Sequence, residues 1–580
     1  IPTMSASKYT HNWEKADSLN KAGLPGQALE VVNEIAKNTL AEDNMPLYLK
    51  AVLYQVMLKS QFESDYLIHF ITETEESLSS RQEPAKQIMH SILAGLYWKY
   101  YEENQHLIYD RTRLPEGSED NMRLWDASTF IRTIVAHYTA SLANSNLLRH
   151  TDLKNYDVIL ETGENSKQFR PTLYDFLANR AIEFYNSQQA TVTIPIKPFQ
   201  LNTPEYFGDA QTFVNLKLNS NDTLSFIYEG TRIYQQLLAW RLSRPDTLAF
   251  IDADLHRLNF VKQHSPLPGS DSLYLHALIR LEKAYSTHPA TADIMFAIAS
   301  AYAGNLAVGT YPVLLDDKTQ NGIRNLVKAH AWCEKAINSF PQSLGAQNCQ
   351  ILKQQIEATS IDFQLPEAAL PDKAFPLFLE FKNTDTIWIK ILKADPDEPV
   401  STPAGLNSPE NLATLNLLKP LIKWSVDLPK MIDFESHSVD LIMPELERGF
   451  YTLIIADNEQ FNTSGNNLAI QQFWVSNLSL ISYRESDGSG SFYILDRNTG
   501  LGIKEVKVVT FTRDYDYRQR TNVRRNQETY RTSANGSFNI KAPADNRGRN
   551  LSFDLQKGDD RYILNNSFGL YASRNSNMRP

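Results

Sequence analysis

The two cysteines are the residues whose spacing most directly suggests chemistry. Cys333 and Cys349 lie equally far from Pro341 on either side of it. In a helix–turn–helix hairpin centred on Pro341, positions equally distant from the turn lie side by side. Both thiols are therefore predicted at the seam between two helices, either as a disulfide formed in an oxidising compartment or as two small buried thiols. A catalytic thiol is not predicted, because no histidine is placed to activate either sulfur.

A second group of titratable residues occurs in the segment IDADLHRLNFVKQH. Asp252 and Asp254 are a candidate carboxylate pair, but capping of a helix over Leu255–Val261 is the favoured interpretation. His256 and His264 are spaced to share one helix face. No further ligands converge on them in the sequence, so ordinary surface or capping histidines are favoured over a zinc site.

A basic and aromatic cluster marks the segment TRDYDYRQRTNVRRNQ. It offers two interpretations, a polyanion-binding surface or a solvated hairpin loop with scattered charge, and the second is favoured. The residues concerned are Arg513, Arg518, Arg520, Arg524 and Arg525, with Tyr515 and Tyr517.

Motifs that carry catalysis or bind cofactors are absent from the sequence. It contains no His-Glu-x-x-His, no Gly-x-Ser-x-Gly, no Gly-x-x-x-x-Gly-Lys and no Gly-x-Gly-x-x-Gly. We therefore predict no catalytic residue, no cofactor and no metal in this chain, and classify it as a non-enzyme.

The composition excludes several classes of protein. The chain has 580 residues, a net charge of −10, 42% hydrophobic residues and two cysteines. Such a chain forms several cored domains, is too acidic to coat a nucleic acid, and is not a disulfide-dense or multi-cysteine metal scaffold. No run approaches the roughly 18 apolar residues of a membrane-spanning helix. The chain starts at Ile1 without signal-peptide features, so we expect either a removed leader or a trimmed start. Its last residues form no tail of their own, so we expect a natural sequence that continues past Pro580; an ordinary frayed terminus is the alternative.

The first part of the chain, residues 1–360, has helical periodicity. Two pairs of helices, Ser272–Ala303 and Asn325–Ala358, share a pattern of helix, proline-containing turn and helix, with alanine at close-contact positions. This pattern resembles tetratricopeptide repeats, although no strict period runs through the region, and predicts an α-solenoid-like array. A β-branched stretch indicates an extended crossing segment and a sub-boundary near 190–222.

From residue 361 onward the hydrophobic period changes to two. Phe375–Phe381 and Thr386–Leu392 are predicted to be paired strands around a turn at residues 383–385. Many short strands separated by Gly, Asn, Asp and Pro predict two antiparallel β-sandwiches, over residues 361–475 and 476–580.

The segment Phe473–Phe511 resembles the alpha-2-macroglobulin family. Members have a strand of the type V-x-N/D-L-x-L and then V-x-D-x-x-T-G, which Leu495–Gly500 matches here; a later T-x-x-x-G-x-F has its counterpart in Thr532–Phe538. The chain departs from the family at Gly502–Glu505, where Pro-Val-x-Gly is common. The turn residues of the two motifs are Asp496, Thr499, Gly500, Asn535 and Gly536.

The resemblance extends to the rest of the chain. The preceding sandwich, with Gly449-Phe450-Tyr451, is similar to the first macroglobulin domain of the family, and residues 476–580 to the second. The helical part resembles the N-terminal extension of Bacteroidetes-type members, through segments such as Phe169–Leu177. Family members trap proteases, and many use a Cys–Gln thioester of the type C-x-E-Q, which neither cysteine of this chain matches.

The resemblance implies a non-catalytic N-terminal scaffold of a bacterial alpha-2-macroglobulin-like protein that contributes to protease trapping. Its implied partners are proteases, met through the parent protein, and further macroglobulin domains of that parent. Its implied location is the cell envelope, as an exported periplasmic protein or lipoprotein. The alternative is a cell-envelope module that binds proteins or glycans and inhibits no protease.

Overall fold

The computed structural model describes residues 8–109, 111, 121–161, 163, 166–187, 198–220, 224–304, 324–397, 406, 408–462, 467–516, 521–542 and 549–571. Apart from a helix at Pro409–Leu417, its helices come first and its strands, mostly antiparallel, follow from Ser360 onward, which confirms the predicted order of the two element types. The β-branched stretch of the crossing segment lies outside the described residues, which resume at residue 198.

The helices of the first region have between 4 and 24 residues, and many are joined by tight turns. They are α1 (Thr10–Lys21), α2 (Pro25–Ala41), α3 (Met45–Lys59), α4 (Tyr66–Leu78), α5 (Ala85–Ile108), α6 (Ala127–Ser141), α7 (Ser145–His150), α8 (Ser166–Phe169), α9 (Leu173–Tyr185), α10 (Ala210–Val214), α11 (Phe226–Leu242), α12 (Thr247–His264), α13 (Ser270–Ala284), α14 (Thr291–Ala303), α15 (Leu326–Ser339) and α16 (Leu344–Glu357). Among the described residues, 3₁₀ turns lie between them at Met122–Leu124, Leu153–Ile159 and Pro204–Phe207. Among the described residues, no helix is both long enough and apolar enough to cross a lipid bilayer.

Local sequence fixes where several of these helices begin. Asp126 and Asp246 accept hydrogen bonds from first-turn backbone N–H groups of α6 and α12. Thr172 and Asp175 form a reciprocal capping box at the start of α9. Each cap satisfies donors that have no partner within the helix, so it determines the residue at which the helix starts.

Among the described residues, apolar helix faces pack into a smaller and a larger core in this region. Residues from α1 to α4 form the smaller core around Trp13 and Val32. A larger core extends from α3 to α14 and is rich in stacked aromatic rings, such as Tyr138 against Phe184 at 5.1 Å. Burial of these faces, more than helix propensity, stabilises such short helices.

The strands are β1 (Ser360–Gln364), β2 (Ala368–Ala369), β3 (Phe375–Lys382), β4 (Thr386–Ala394), β5 (Ile422–Asp427), β6 (His437–Met443), β7 (Gly449–Ala456), β8 (Leu468–Val475), β9 (Leu478–Arg484), β10 (Gly490–Asp496), β11 (Lys507–Asp516), β12 (Thr521–Arg531), β13 (Ser537–Ile540), β14 (Arg549–Lys557) and β15 (Asp560–Leu570). One further helix, α17 (Pro409–Leu417), lies between β4 and β5.

Two sheets enclose a first β core, which includes Leu377, Ile389 and Phe473. Their strand orders are β1-β3-β6 and β2-β8-β7-β4-β5, and the short β2–β8 pair is parallel. The prediction that β3 pairs with β4 is wrong, because the two strands belong to opposite sheets. Asn383 adopts a positive φ of 53° and its amide binds the carbonyls of Ile356 and Ala358, which turns the chain from one sheet to the other.

Two further sheets, ordered β13-β10-β9 and β12-β11-β14-β15, enclose a second β core. This core contains Phe492, Phe511 and Phe553, none of which is exposed. Ala368 and Trp474 from the first set of strands also belong to it, so apolar packing continues across the junction of the two β regions.

By internal contacts the chain divides into two compact units. The first comprises residues 1–324 and 331–350, and the second comprises residues 325–330 and 351–580. The second unit contains both β cores.

Candidate functional site

A partly buried chain of titratable side chains links α4, α5 and α6. Nε2 of His137 lies 2.9 Å from Oε1 of Glu75. Nδ1 of the same ring lies 3.0 Å from Nδ1 of His90. The hydroxyl of Tyr97 donates to the same Glu75 oxygen at 3.0 Å. A carboxylate, two imidazoles and a phenol therefore form one continuous hydrogen-bonded network.

Aromatic packing fixes the orientation of this network. The ring of Tyr97 stacks on His137 at 5.5 Å and on Trp125 at 5.6 Å. Since His137 is held by a stack on its face and by hydrogen bonds at both nitrogens, its ring has little freedom to rotate. His90 and Tyr97 both belong to α5, whereas His137 comes from α6.

Burial and charge shift the pKa values of three members. Burial, and then the neighbouring His137, lower the pKa of His90 to about 4. Burial alone would raise the pKa of Glu75, but the hydrogen bond and charge of His137 outweigh it and hold the pKa below its usual value. Burial and Glu75 raise the pKa of Tyr97. At neutral pH the network therefore contains a carboxylate, a phenol and a neutral His90.

Sequence reasoning missed this network. Its partners are far apart in the chain, and only the packing of α4, α5 and α6 brings them together. The sequence pattern offered one indication of it. His90 and Tyr97 share a helix face at a separation of two turns. His137 lies on the apolar face of α6, next to Tyr138.

Asp252 and Asp254 do not cap a helix, so that interpretation is wrong. Helix α12 begins at Thr247, earlier than predicted, and Asp246 caps it; the two aspartates therefore lie inside the helix. They also bind different partners, because Asp252 accepts from Nε of Arg170 at 3.2 Å and Asp254 accepts from Nε of Arg257 at 2.9 Å.

The candidate histidines of α12 are each engaged by protein groups. Nε2 of His256 lies 3.1 Å from the guanidinium of Arg170, and Nε2 of His264 lies 2.8 Å from Oδ1 of Asn186. Burial lowers the pKa of His264. Within the described ranges, no group of three or more His, Cys, Asp or Glu side chains is placed to hold a metal ion.

The arginine cluster lies on paired strands rather than in a loop, as far as it is described. Arg513 of β11 stands opposite Arg524 of β12 in the register. Arg524 also lies 3.4 Å from Asp554 and 3.5 Å from Asp397, so nearby carboxylates balance part of its charge. Arg525 belongs to β12 and Tyr515 to β11, whereas Tyr517, Arg518 and Arg520 lie outside the described residues.

The turn residues of the two motifs lie next to each other. Oδ1 of Asp496 accepts hydrogen bonds from the backbone of Asn498 and Thr499 at 3.1 and 2.8 Å, and these bonds lower the pKa of Asp496. Gly500 has a φ of +74°, which favours glycine.

The second motif contacts the first through backbone atoms. Gly536 has a φ of +82°, and a Cβ on Gly502 would lie 2.0 Å from the carbonyl oxygen of Asn535. The Asn535–Gly536 turn leads from β12 to β13, which belong to different sheets. The two motifs therefore close one end of the second β region.

Cys333 and Cys349 are side by side in the structure, as thiols with no solvent exposure. A hydrogen bond to Cys333, and then burial, raise the pKa of the Cys349 thiol. A raised pKa and complete burial make a thiol unreactive in the folded state. The disulfide between them stays a prediction.

We expect both thiols to resist alkylation by iodoacetamide in the native protein and to react when it is unfolded. Refolding with oxidised glutathione should remove two hydrogen atoms by mass, release two reduced glutathione molecules, and stabilise the chain by about 3 kcal/mol through closure of a short loop. The single variant Cys333→Ala is the control, since it cannot form the bond. Fast alkylation of the native protein would contradict the buried arrangement.

Comparison with known proteins does not assign this chain to a family. No protein-family model matches this sequence, and no curated protein shows significant similarity to it.

Proposed function

We propose that this chain is a non-catalytic scaffold, the N-terminal part of a bacterial alpha-2-macroglobulin-like protein that contributes to protease trapping. The proposal assigns the chain the task of holding other domains in position and gives it no chemical step. It rests on the sequence motifs described above and on one feature of the β regions.

That feature is the joint between the two β regions, where β8 ends and β9 begins. The carboxylate of Asp560, which is 5% exposed, accepts from the Ser476 hydroxyl at 2.6 Å and from the Asn477 backbone at 3.0 Å. From the other side, the guanidinium of Arg497 donates to the carbonyls of Ser476 and Leu478 at 3.2 and 2.7 Å. Buried, charge-assisted hydrogen bonds of this kind hold a linker at a fixed angle.

Apolar contacts reinforce the same joint. Trp474 packs on Phe450 at 4.6 Å and on Tyr562 at 6.0 Å between ring centroids. The guanidinium of Arg497 lies 5.2 Å from the Tyr562 ring. A connection that is both hydrogen-bonded and packed suits a protein that must position its neighbours, whereas independent binding modules are commonly joined by flexible linkers.

The finer architecture is part of the proposal. We assign residues 1–360 to an α-solenoid-like array related to tetratricopeptide repeats, and residues 361–475 and 476–580 to two macroglobulin-like β-sandwiches. Helical hairpins with short turns support the first assignment, and two sheets around each β core support the second.

The proposed setting follows from the same resemblance. The parent protein would be exported to the periplasm or anchored to the cell envelope as a lipoprotein. Its partners would be proteases, and this chain would contact further macroglobulin domains of the parent.

One observation favours the alternative, a cell-envelope module that binds proteins or glycans. On the outer face of the β1-β3-β6 sheet, Ile442 is 80% exposed and lies opposite Pro376, next to the exposed ring of Phe378. Exposed apolar side chains grouped on a sheet face are typical of interaction surfaces.

The test uses the full-length parent protein with proteases of different classes. We expect a trapped protease to lose activity towards a large protein substrate and to keep activity towards a small peptide, because trapping is steric. The variant Asp560→Ala should weaken this effect, because it removes the acceptor that fixes the joint, while the exposed variant Asp559→Ala should leave it unchanged. Full activity towards large substrates in the presence of the wild-type parent would contradict trapping and leave the binding module as the better function.

A further inference from the structure

In the Glu75–His137–His90 network, the contact between the two imidazole rings is attractive or repulsive depending on how many protons the rings carry. The two Nδ1 atoms of His137 and His90 are 3.0 Å apart, so one must donate a hydrogen and the other must accept it. Nε2 of His137 faces a carboxylate oxygen of Glu75 at 2.9 Å and therefore carries a hydrogen. In neutral His137 the other nitrogen is then the acceptor, and Nδ1–H of His90 is the donor.

The first added proton leaves this contact intact, because a ring with N–H groups on both nitrogens still donates from Nδ1 to the bare Nδ1 of the other ring. When both rings carry two N–H groups, two donors and two positive charges face each other across 3.0 Å. The contact therefore changes from attractive to repulsive as the pair gains protons.

The charged groups near the two imidazole rings have opposite effects on the protonation of His90, and these effects cancel only in part. Glu75 of α4 favours a positive charge on His90, whereas Lys86, on the same helix as His90, opposes it. The Tyr97 hydroxyl also donates a hydrogen bond to Glu75. This second bond reduces the capacity of the carboxylate to accept a hydrogen bond from a further group. On α9, Arg180 donates from Nε to the hydroxyl of Ser91, the residue that follows His90 in α5, at 3.0 Å.

We propose that the Glu75–His137–His90 network is an acid-sensitive latch that holds α4, α5 and α6 together at neutral pH and loosens their contact in mild acid. The proposal concerns the helical unit alone and does not depend on the function assigned to the whole chain.

The sign of the effect follows from linkage. Burial lowers the pKa of His90 from 6.5 to about 4, so between these values the opened state binds more protons than the closed state. The stability contributed by the latch is therefore fully present above about pH 6.5 and is lost as the pH falls towards 4. Between about pH 7.5 and about pH 5.5, the equilibrium constant for local opening should rise by up to about tenfold.

The experiment measures amide hydrogen exchange of the full chain at these two pH values, corrected for intrinsic exchange rates. We expect the opening constants of amides in α5 and α6 to rise by up to about tenfold in the wild type. In His90→Asn the side-chain amide can donate from the position of Nδ1 but does not titrate, so the rise should fall below about twofold. The matched control His276→Asn, at an exposed position of α13, should behave as the wild type.

An equal rise in the wild type and in His90→Asn would overturn the proposal. If His90→Asn fails to fold, a second measurement tests the proposal. It follows the imidazole nitrogen signals of the wild-type protein by NMR as a function of pH. Loss of α5 and α6 protection that accompanies the protonation of His90 supports the latch. Protonation of His90 with the protection of α5 and α6 unchanged contradicts it.

Discussion

Replacing Gly345 with alanine is expected to lower the free energy of unfolding of the helical unit by about 3 kcal/mol, the upper end for overpacking. Gly345 lies in the first turn of α16, where the helix approaches the start of α14. A Cβ at this position would lie 2.2 Å from the carbonyl carbon of Ala292 and 2.3 Å from the backbone nitrogen of Asp293. Backbone atoms cannot rotate aside, so the two helices must separate.

Urea unfolding followed by circular dichroism at the helical band measures this effect. Gly26→Ala is the matched control, since Gly26 lies in the first turn of α2 and a Cβ there meets no atom within 4 Å. The control should leave stability unchanged or raise it by about 0.5 kcal/mol, because alanine reduces the entropy of the unfolded chain. Equal unfolding midpoints for the wild type and Gly345→Ala would show that α14 and α16 are not in this close contact.

Replacing Arg257 with methionine is expected to cost about 3–5 kcal/mol, because it leaves Asp254 as a buried carboxylate without its partner. Arg257 is not exposed at all, and besides Asp254 it binds the carbonyl of Tyr206 at 2.9 Å. Its guanidinium also lies 4.8 Å from the Phe213 ring. Loss of Arg257 therefore affects α12, α10 and the 3₁₀ turn that precedes α10.

The double variant Arg257→Met with Asp254→Leu separates the cost of the unpaired charge from that of lost packing. It should recover much of the stability, because no buried charge remains. Arg123→Met is the exposed control: its pair with Asp65 is about half exposed and should be worth less than about 1 kcal/mol. A loss for Arg257→Met no larger than for Arg123→Met would contradict the buried arrangement.

The parts of the fold that depend on local sequence were predictable. The change from helical to two-residue periodicity near residue 360 gave the order of helices and strands, and the symmetry of Cys333 and Cys349 about Pro341 gave their neighbouring positions. Both features lie within a single element or a single hairpin, where spacing along the chain determines spacing in the structure.

Features that depend on tertiary packing were not predictable. The aspartates at 252 and 254 look like a helix start, yet Asp246 caps the helix earlier and Asp254 is needed inside it for Arg257. Likewise β3 and β4 alternate like a hairpin but belong to opposite sheets, because the turn at Asn383 binds carbonyls at the end of α16. The His90–His137 contact joins two helices, and neither helix signals its partner.

The joint at Ser476–Leu478 has a mechanical consequence. Arg497 and Asp560 bind mainly main-chain groups of the linker, so the angle between the two β regions depends little on which side chains the linker carries. Under mechanical load, we expect such a connection to keep its angle and not to bend. A push applied at the far end of β15 would be transmitted through the second β region to β8, and would rotate both regions as one body.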